Sequence, residues 1–223
     1  MKLIAIGGGG FTAETDAYLD DFVLTLAKGN DTRLGFLGTA SHHDPNRLER
    51  LYRLMAPKTK SASHLSPCAD QYALSIWLQE IDLLYIGGGD TEHLQSVWTD
   101  RNYWPVLQSA IARGLWIAGV SAGAVIWFEA ALVRNRQKHL QHINGIGFMS
   151  GSVCVHFSSE PDRQTTYADA IQSAIIPEGI AIDDGVAVVF EPNKKPYYTT
   201  ARERHHAYYC CRSGFSPLNR VKG

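Results

Sequence analysis

Short apolar runs recur along the first half of the chain, and glycine follows each of them. The four runs lie at residues 3–6, 34–37, 83–86 and 115–118. The longer stretches between them carry apolar residues every three to four positions, which is the spacing of amphipathic helices. Strands that alternate with helices in this way predict a mostly parallel sheet with helices on both faces.

Three groups of apolar residues define the predicted helices between the strands. Each group can cover one face of the sheet with a single apolar stripe. In chain order the groups are Tyr18, Phe22, Leu24, Leu26 and Ala27; Leu48, Leu51, Leu54 and Met55; and Leu94, Val97 and Trp98.

The pattern changes after about residue 150. Residues 153–157 alternate as a strand and 167–175 look helical, and three short strands then follow closely at 180–183, 186–190 and 207–209. Short turns between these strands favour an antiparallel extension of the sheet. No Pro/Ser-rich linker interrupts the chain, so the sequence predicts a single α/β domain over residues 1–223. Its polar end, 213–223, is expected to be frayed.

Composition and charge limit the classes of partner. The 223 residues are 45% hydrophobic, and 21 Lys and Arg balance 22 Asp and Glu. The near-zero net charge therefore gives no overall electrostatic attraction to nucleic acid or to an anionic membrane. Four cysteines without a Cys-x-x-Cys pair favour a reducing setting, and the first apolar run is too short for a signal peptide or a spanning helix. The sequence predicts a soluble, cytoplasmic protein.

The most informative motif is Gly-Val-Ser-Ala-Gly-Ala at residues 119–124, between a predicted strand and a helical run through Phe128. A sharp turn from strand to helix exposes the central side chain, here Ser121, and small neighbours allow the backbone to turn tightly. The backbone N–H of Ala122 then lies at a helix start, where it can stabilise a developing oxyanion. The motif predicts a nucleophilic serine, although Gly-x-Ser-x-Gly also occurs in plain tight turns.

A serine nucleophile requires a base and usually a carboxylate. Among nine histidines, His156 is distinctive because it ends the strand 153–157 and opens into a polar loop. A structural, half-buried histidine is the alternative. The candidate carboxylates are Glu178, Asp183 and Asp184, with Glu129 as a more distant option.

Several motifs together resemble peptidase E, the α-aspartyl dipeptidase family of serine peptidases, to which cyanophycinase is related. They are the serine motif at 119–124, Tyr-Ile-Gly-Gly-Gly-Asp-Thr at 85–91, Val-His-Phe at 155–157 and Pro-Glu-Gly at 177–179. The resemblance covers roughly residues 34–191. It implies a flavodoxin-like three-layer sandwich with an antiparallel C-terminal extension.

The resemblance also assigns roles to residues of this chain. It implies Ser121 as nucleophile, His156 as general base and Glu178 as the acid, with Asp183 and Asp184 as competing acids. Another version of the family triad has an aspartate about fifteen residues after the serine, where this chain has Asn135 and Arg136. Gly88 and Gly89 match a loop that supplies oxyanion N–H groups beside that of Ala122. Arg163 would bind an acidic substrate side chain as a bidentate fork.

The leading hypothesis is a serine peptidase that cleaves small peptides, dipeptides with an N-terminal aspartate above all, through an acyl-enzyme on Ser121. It requires neither metal nor cofactor, its partner is a small acidic peptide, and a homodimer is one option for its assembly. The alternatives are an amidotransferase-like or regulatory protein on the same fold, and a cyanophycinase-like hydrolase. The glycines at 7–10 do not complete a dinucleotide fingerprint, because Thr12 stands where its third glycine belongs.

Overall fold

The computed structural model describes residues 1–221, and within that range eight strands form a first, mostly parallel sheet. Its order is β14-β11-β10-β1-β5-β4-β2-β3 for the strands β1 (Lys2–Ile6), β2 (Arg33–Leu37), β3 (Ser61–His64), β4 (Leu83–Ile86), β5 (Trp116–Val120), β10 (Val186–Phe190), β11 (Tyr197–Thr200) and β14 (Asn219–Arg220). Strands β1 to β5 pair in parallel, and β10 joins β1 antiparallel.

Six further strands of the described chain form a second sheet in the order β13-β12-β9-β8-β6-β7. Parallel pairing of β6 with β8 and of β8 with β9 makes up its centre. The strands are β6 (Phe128–Arg134), β7 (Leu140–Asn144), β8 (Met149–Val155), β9 (Gly179–Ile182), β12 (Ala207–Cys211) and β13 (Gly214–Pro217).

Helices cover both sheets. In chain order they are α1 (Ala17–Ala27), α2 (Pro45–Arg50), α3 (Gln71–Trp77), α4 (Thr91–Asp100), α5 (Tyr103–Ala112), α6 (Ala122–Val125) and α7 (Pro161–Gln172). A π-helical turn, Leu51–Met55, continues α2.

Side chains of alternate strand residues separate the core into layers. Ile4 and Ile6 of β1 pack with α1 and α2 in one apolar cluster. Leu3 and Ala5 face the other way, into a cluster shared with α3, α4, α5 and one face of the second sheet. The opposite face of the second sheet packs on α7. Burial of each such Leu or Ile side chain contributes about 1.5–3 kcal/mol, so this pattern determines which face of each strand points inward.

The predicted α/β architecture with a mostly parallel sheet and an antiparallel C-terminal addition is confirmed, and three details differ. The helical run after Ser121 ends at Val125, and Phe128 begins strand β6, of which residues 130–133 are buried on both faces. The C-terminal strands divide between two sheets instead of extending one. Of the segment expected to be frayed, residues 214–217 pair with β12 and 219–220 with β11, while residues 222 and 223 lie outside the described range.

A buried carboxyl group lies beneath the glycine run at residues 7–10. Asp20 of α1 is only 3% exposed, and it accepts a hydrogen bond from the backbone N–H of Phe11. Its Oδ1 and the hydroxyl of fully buried Tyr85 have no hydrogen-bond partner within residues 1–221. A Cβ on Gly10 would lie 2.7 Å from that hydroxyl and 3.1 Å from Oδ1. Burial raises the pKa of Asp20 to about 7.

Replacement of Asp20 by asparagine is expected to stabilise the protein at pH 8 by about 1–3 kcal/mol, with a smaller effect at pH 5. The folded state holds the Asp20 proton up to about pH 7, whereas the unfolded chain releases it near 3.8. Stability of the native protein therefore falls as pH rises between these values, and asparagine removes that dependence. Urea unfolding of both proteins at pH 5 and pH 8 measures the difference.

Asp21 provides the matched control for this prediction. Its side chain is 58% exposed and pairs with Lys58 on the surface. Asp21→Asn should change stability by less than about 1 kcal/mol at either pH. A destabilised Asp20→Asn variant at pH 8 would show that Asp20 is ionised and favourably bound in the folded state.

Candidate active site

Ser121 lies on a sharp turn between β5 and α6. Its backbone has φ 53° and ψ −115°, a strained combination for a residue with a side chain. The turn closes because glycine occurs on both sides. A Cβ on Gly119 would lie 2.0 Å from the carbonyl oxygen of Gly123, and one on Gly123 would lie 2.3 Å from that of Ile86. The Gly-x-Ser-x-Gly pattern thus allows the tight turn that leaves the Ser121 side chain partly exposed.

His156 follows the carboxyl end of β8, and its ring nitrogen Nε2 lies 2.9 Å from Ser121 Oγ. Its positive φ of 55° turns the chain out of the strand. The side chain is 26% exposed, so it faces the cavity and is not packed in the core. Two side chains that are 35 residues apart in the sequence meet here because β5 and β8 belong to the two facing sheets.

Asp184 contacts the other nitrogen of the ring. The distance from His156 Nδ1 to Asp184 Oδ1 is 2.6 Å. Asp184 lies in the turn between β9 and β10, where the chain crosses from the second sheet to the first. Burial opposes ionisation of its carboxyl group, but hydrogen bonds from His156 and Ser159 outweigh it and lower the pKa of Asp184 to about 2. The aspartate is therefore ionised at neutral pH.

The glycine run after β1 makes room for this contact. A Cβ on Gly8 would lie 2.1 Å from Asp184 Oδ1 and 3.0 Å from Cε1 of the His156 ring. The Gly8 carbonyl also accepts the N–H of Gly185, at 2.9 Å. Any side chain at position 8 would displace the aspartate or the imidazole, which accounts for a glycine motif that the dinucleotide fingerprint did not explain.

Glu178, the first-choice acid from the sequence, lies at the wrong end of β9. Strands β8 and β9 are parallel, with Val155 opposite Ile182. His156 is therefore level with residue 183, and Glu178 is displaced by about five residues, or roughly 16 Å along the strand. The Glu178 carboxylate accepts hydrogen bonds from the Tyr209 hydroxyl at 2.7 Å and from the N–H of Arg212 at 3.4 Å. The alternative Asp184 takes its place beside the imidazole.

The other two carboxylate candidates are also engaged elsewhere. Asp183 directly follows β9 and is buried, and its Oδ2 accepts the backbone N–H of His206 at 2.8 Å. Glu129 belongs to strand β6 and not to a helix, and it accepts the N–H of Gly151 at 2.9 Å. Neither carboxylate contacts the His156 ring.

The residues predicted to form an oxyanion hole surround Ser121. Ala122 is the first residue of α6, so its N–H has no acceptor within the helix. A Cβ on Gly88 would lie 3.7 Å from Ser121 Oγ, and Gly89 lines the same cavity. The Gly88 carbonyl accepts a hydrogen bond from Arg47. Because N–H and C=O of a trans peptide point in opposite directions, this bond turns the Gly89 N–H away from Arg47.

A small cavity of about 160 Å³ opens beside the serine. This volume corresponds to roughly five water molecules, so it suits one small residue and not an extended peptide. Apart from Ser121 and His156, its charged lining residues are Arg134, Glu160 and Arg163. A larger cavity of about 540 Å³ lies at the opposite edge of the first sheet and contains none of these groups.

Arg163 is only 3% exposed, and much of its hydrogen-bonding capacity is already used. Its Nε donates to Glu160 Oε2 at 2.6 Å and its Nη1 to the Leu132 carbonyl at 3.0 Å. The guanidinium also interacts with the buried Cys154 thiol. The bidentate fork expected from the sequence is therefore reduced to at most one amino group, Nη2.

Arg134 and Glu160 were not singled out from the sequence. Arg134 donates from all three nitrogens, to Glu160, Asp162 and the Lys138 carbonyl. Burial opposes ionisation of Glu160, but hydrogen bonds from Arg163 and Arg134 outweigh it and lower its pKa. Arg134 lies at the end of β6, and Glu160 and Arg163 lie at the start of α7. These groups come together only because the two elements are in contact, which sequence spacing does not indicate.

His42 and His43 lie in a turn after β2. The His42 ring stacks on His93 with centroids 3.9 Å apart. The part of the chain that the structure describes holds no group of three His, Cys, Asp or Glu side chains arranged for a metal ion. No helix in residues 1–221 has both the length and the apolar character needed to cross a membrane.

Comparison with known proteins shows a family model and a bacterial relative that each match most of the chain. The model of peptidase family S51 matches residues 3–196. A Bacillus subtilis (strain 168) protein described as the uncharacterized peptidase YgaJ is 34% identical over 212 residues, which is 93% of this chain and 90% of that protein.

Two solved structures have the same fold. A peptidase from an acI-B1 Actinobacterium superposes with a TM-score of 0.71 at 18% identity, over 99% of this chain and 95% of that one. A putative Peptidase E protein from Listeria monocytogenes EGD-e superposes with a TM-score of 0.66 at 16% identity, over 89% of this chain and 98% of that one.

Proposed function

Because the chain belongs to peptidase family S51 and is a serine peptidase, we propose that it cleaves small peptides after an N-terminal aspartate, through an acyl-enzyme on Ser121. The observation that carries the proposal is the hydrogen-bonded series Ser121, His156 and Asp184, with contacts of 2.9 Å and 2.6 Å. Nucleophile, base and orienting carboxylate in this order are what acyl transfer requires.

Each group has a defined step in the proposed reaction. His156 Nε2 removes the hydroxyl proton while Ser121 Oγ attacks the scissile carbonyl, and Asp184 stabilises the imidazolium. The N–H groups of Ala122 and Gly89 bind the negative oxygen of the tetrahedral intermediate. The imidazolium then gives its proton to the leaving amine as the C–N bond breaks. Water, deprotonated by His156, hydrolyses the acyl-enzyme and restores Ser121.

The cavity supports a small acidic residue as the acyl part of the substrate. Its volume of about 160 Å³ admits one residue, and Arg163 Nη2 offers a charge-assisted hydrogen bond to a side-chain carboxylate. Glu160 neutralises part of the arginine charge, so the selectivity for acid is expected to be moderate.

The proposal predicts that Asp-Leu is hydrolysed about 10- to 100-fold more efficiently than Asn-Leu, and that Arg163→Met removes this preference. The preference arises because only the acid accepts a charge-assisted bond from Arg163. Values of kcat/KM for both dipeptides, with each protein, measure it.

Arg134→Met is the matched control, because Arg134 lines the same cavity but has no nitrogen left for a ligand. It should keep the preference for Asp-Leu. Since Arg163 is buried, hydrolysis of a neutral ester by Arg163→Met checks that the triad is intact. If the native protein cleaves simple esters but none of the Asp-containing dipeptides, the substrate assignment is wrong and the serine chemistry stands.

A further inference from the structure

An arginine–aspartate pair lies behind the Asp184 turn, outside the proposed triad. Arg202 Nε lies 2.8 Å from Asp16 Oδ1, and Arg202 Nη2 lies 2.7 Å from Asp16 Oδ2. The pair joins two segments that are 186 residues apart. The Asp16 side chain is 8% exposed and that of Arg202 is 37% exposed, so the aspartate is held inside while the arginine covers it.

Arg202 packs directly on the turn that carries Asp184. A Cβ on Gly185 would lie 2.8 Å from Cγ, Cδ and Nε of Arg202. The Gly185 carbonyl also accepts the N–H of Ala201 at 2.8 Å and the Thr200 hydroxyl at 3.2 Å. The segment 200–202 therefore holds the turn by its backbone and by the arginine stem.

Asp16 packs on the other side, against the glycine run. A Cβ on Gly9 would lie 2.4 Å from Asp16 Oδ2. The neighbouring Gly8 is the residue that leaves room for the Asp184 carboxylate and the His156 ring, and its carbonyl accepts the N–H of Gly185. The ion pair thus closes a ring of contacts around Asp184, from the glycine run through Asp16 and Arg202 back to Gly185.

We propose that Arg202, held by Asp16, is a positioning residue that fixes the Asp184 turn and places a balanced charge pair behind the carboxylate. The proposal rests on the function proposed above, since it concerns the group that orients His156. A purely structural ion pair would hold the turn equally well. The two roles differ in how the His156 ring responds when one charge of the pair is removed.

The expected responses to the two single replacements have opposite signs. Asp16→Asn leaves the guanidinium unbalanced, and its positive charge disfavours the imidazolium, so the titration midpoint of the ring moves to lower pH. Arg202→Gln leaves the Asp16 carboxylate unbalanced, so the midpoint moves to higher pH. Each shift should be about half a pH unit, because the partly exposed pair is screened by solvent.

The experiment is an NMR titration of the His156 ring in a Ser121→Ala background, which needs no catalytic activity. The other charged groups near the ring and the turn remain the same in every variant; they are Asp183, Asp184, Glu160, Arg134 and Arg163. Asparagine tolerates the φ of 55° at position 16, so Asp16→Asn keeps the backbone. Arg204→Gln, an exposed arginine on the same segment, is the control and should leave the midpoint within about 0.2 units.

Arg202→Lys distinguishes the effect of the positive charge at position 202 from the effect of the arginine's packing. It also provides a test of the proposal if Arg202→Gln does not fold. It keeps the positive charge and should retain the midpoint of the parent protein. Shifts in the same direction for Asp16→Asn and Arg202→Gln, an absence of shifts, or a lysine variant that behaves like glutamine would overturn the proposal. If the shifts are opposite but the native protein hydrolyses no peptide, the proposed function is refuted and the charge coupling between the pair and His156 stands.

Discussion

Replacement of Ser121 by alanine is expected to lower kcat/KM for Asp-Leu by at least about 10⁴-fold without loss of folding. The hydroxyl is the proposed attacking group, and neither the Ala122 N–H nor His156 can replace it. Alanine also removes little that is packed, because the serine side chain faces the cavity. The measurement is steady-state kinetics with the purified variant, together with its melting temperature.

Ser158, an exposed serine on the loop after His156, provides the matched control. Ser158→Ala should keep full activity, and a fluorophosphonate should label the native protein and this control but not Ser121→Ala. Full activity in the Ser121→Ala protein would exclude an acyl-enzyme on this residue. Labelling without peptide hydrolysis would favour a regulatory or amidotransferase-like role for the same nucleophile.

Local sequence patterns predict the elements that hold the nucleophile and the base. The strand before Ser121 and the glycines around it define the elbow within a few residues, because the turn depends on short-range steric contacts. The four glycine-ended apolar runs all become strands of the first sheet. His156 is identifiable because it ends a strand whose alternation is clear.

The features that the sequence could not predict depend on pairing between strands that are far apart in the chain. Residues 128–134 follow a helix start and are mostly apolar, so their periodicity does not distinguish a continued helix from the buried strand β6. The local sequence also does not indicate that the C-terminal strands divide between two sheets. It places Asp184 at a crossing between sheets, where an Asp-Asp-Gly sequence alone indicates only a hairpin turn.

One physical rule would have improved the choice of acid. Parallel strands end at the same edge of a sheet, so a partner of His156 is expected after the carboxyl end of a neighbouring strand and not before its start. Glu178 precedes β9, whereas Asp183 and Asp184 follow it. The rule does not distinguish these two aspartates. Asp183 and Asp184 differ because successive side chains point in opposite directions, and because the missing Cβ of Gly8 leaves space for the Asp184 carboxylate only.

Replacement of Asp184 by asparagine is expected to lower kcat/KM about 10⁴-fold, whereas Glu178→Gln should change it less than about threefold. Asparagine can accept a hydrogen bond from Nδ1, but its amide can equally donate to that nitrogen. The second arrangement puts the ring proton on Nε2, where it blocks transfer of the Ser121 proton. Glu178 lies at the far end of β9 and accepts hydrogen bonds from Tyr209 and Arg212, so its replacement affects only those two contacts.

The pH dependence distinguishes Asp184 from the other groups of the site. Its pKa of about 2 in the folded protein lies below the ordinary value of 3.8, so its pairing stabilises the fold above pH 4 and is lost as pH falls through 2. Activity lost between pH 7 and pH 5 therefore does not come from protonation of this carboxylate. If the Glu178→Gln protein instead showed the larger defect, the family's Pro-Glu-Gly glutamate would act in catalysis, and the bond between Asp184 and His156 would be structural.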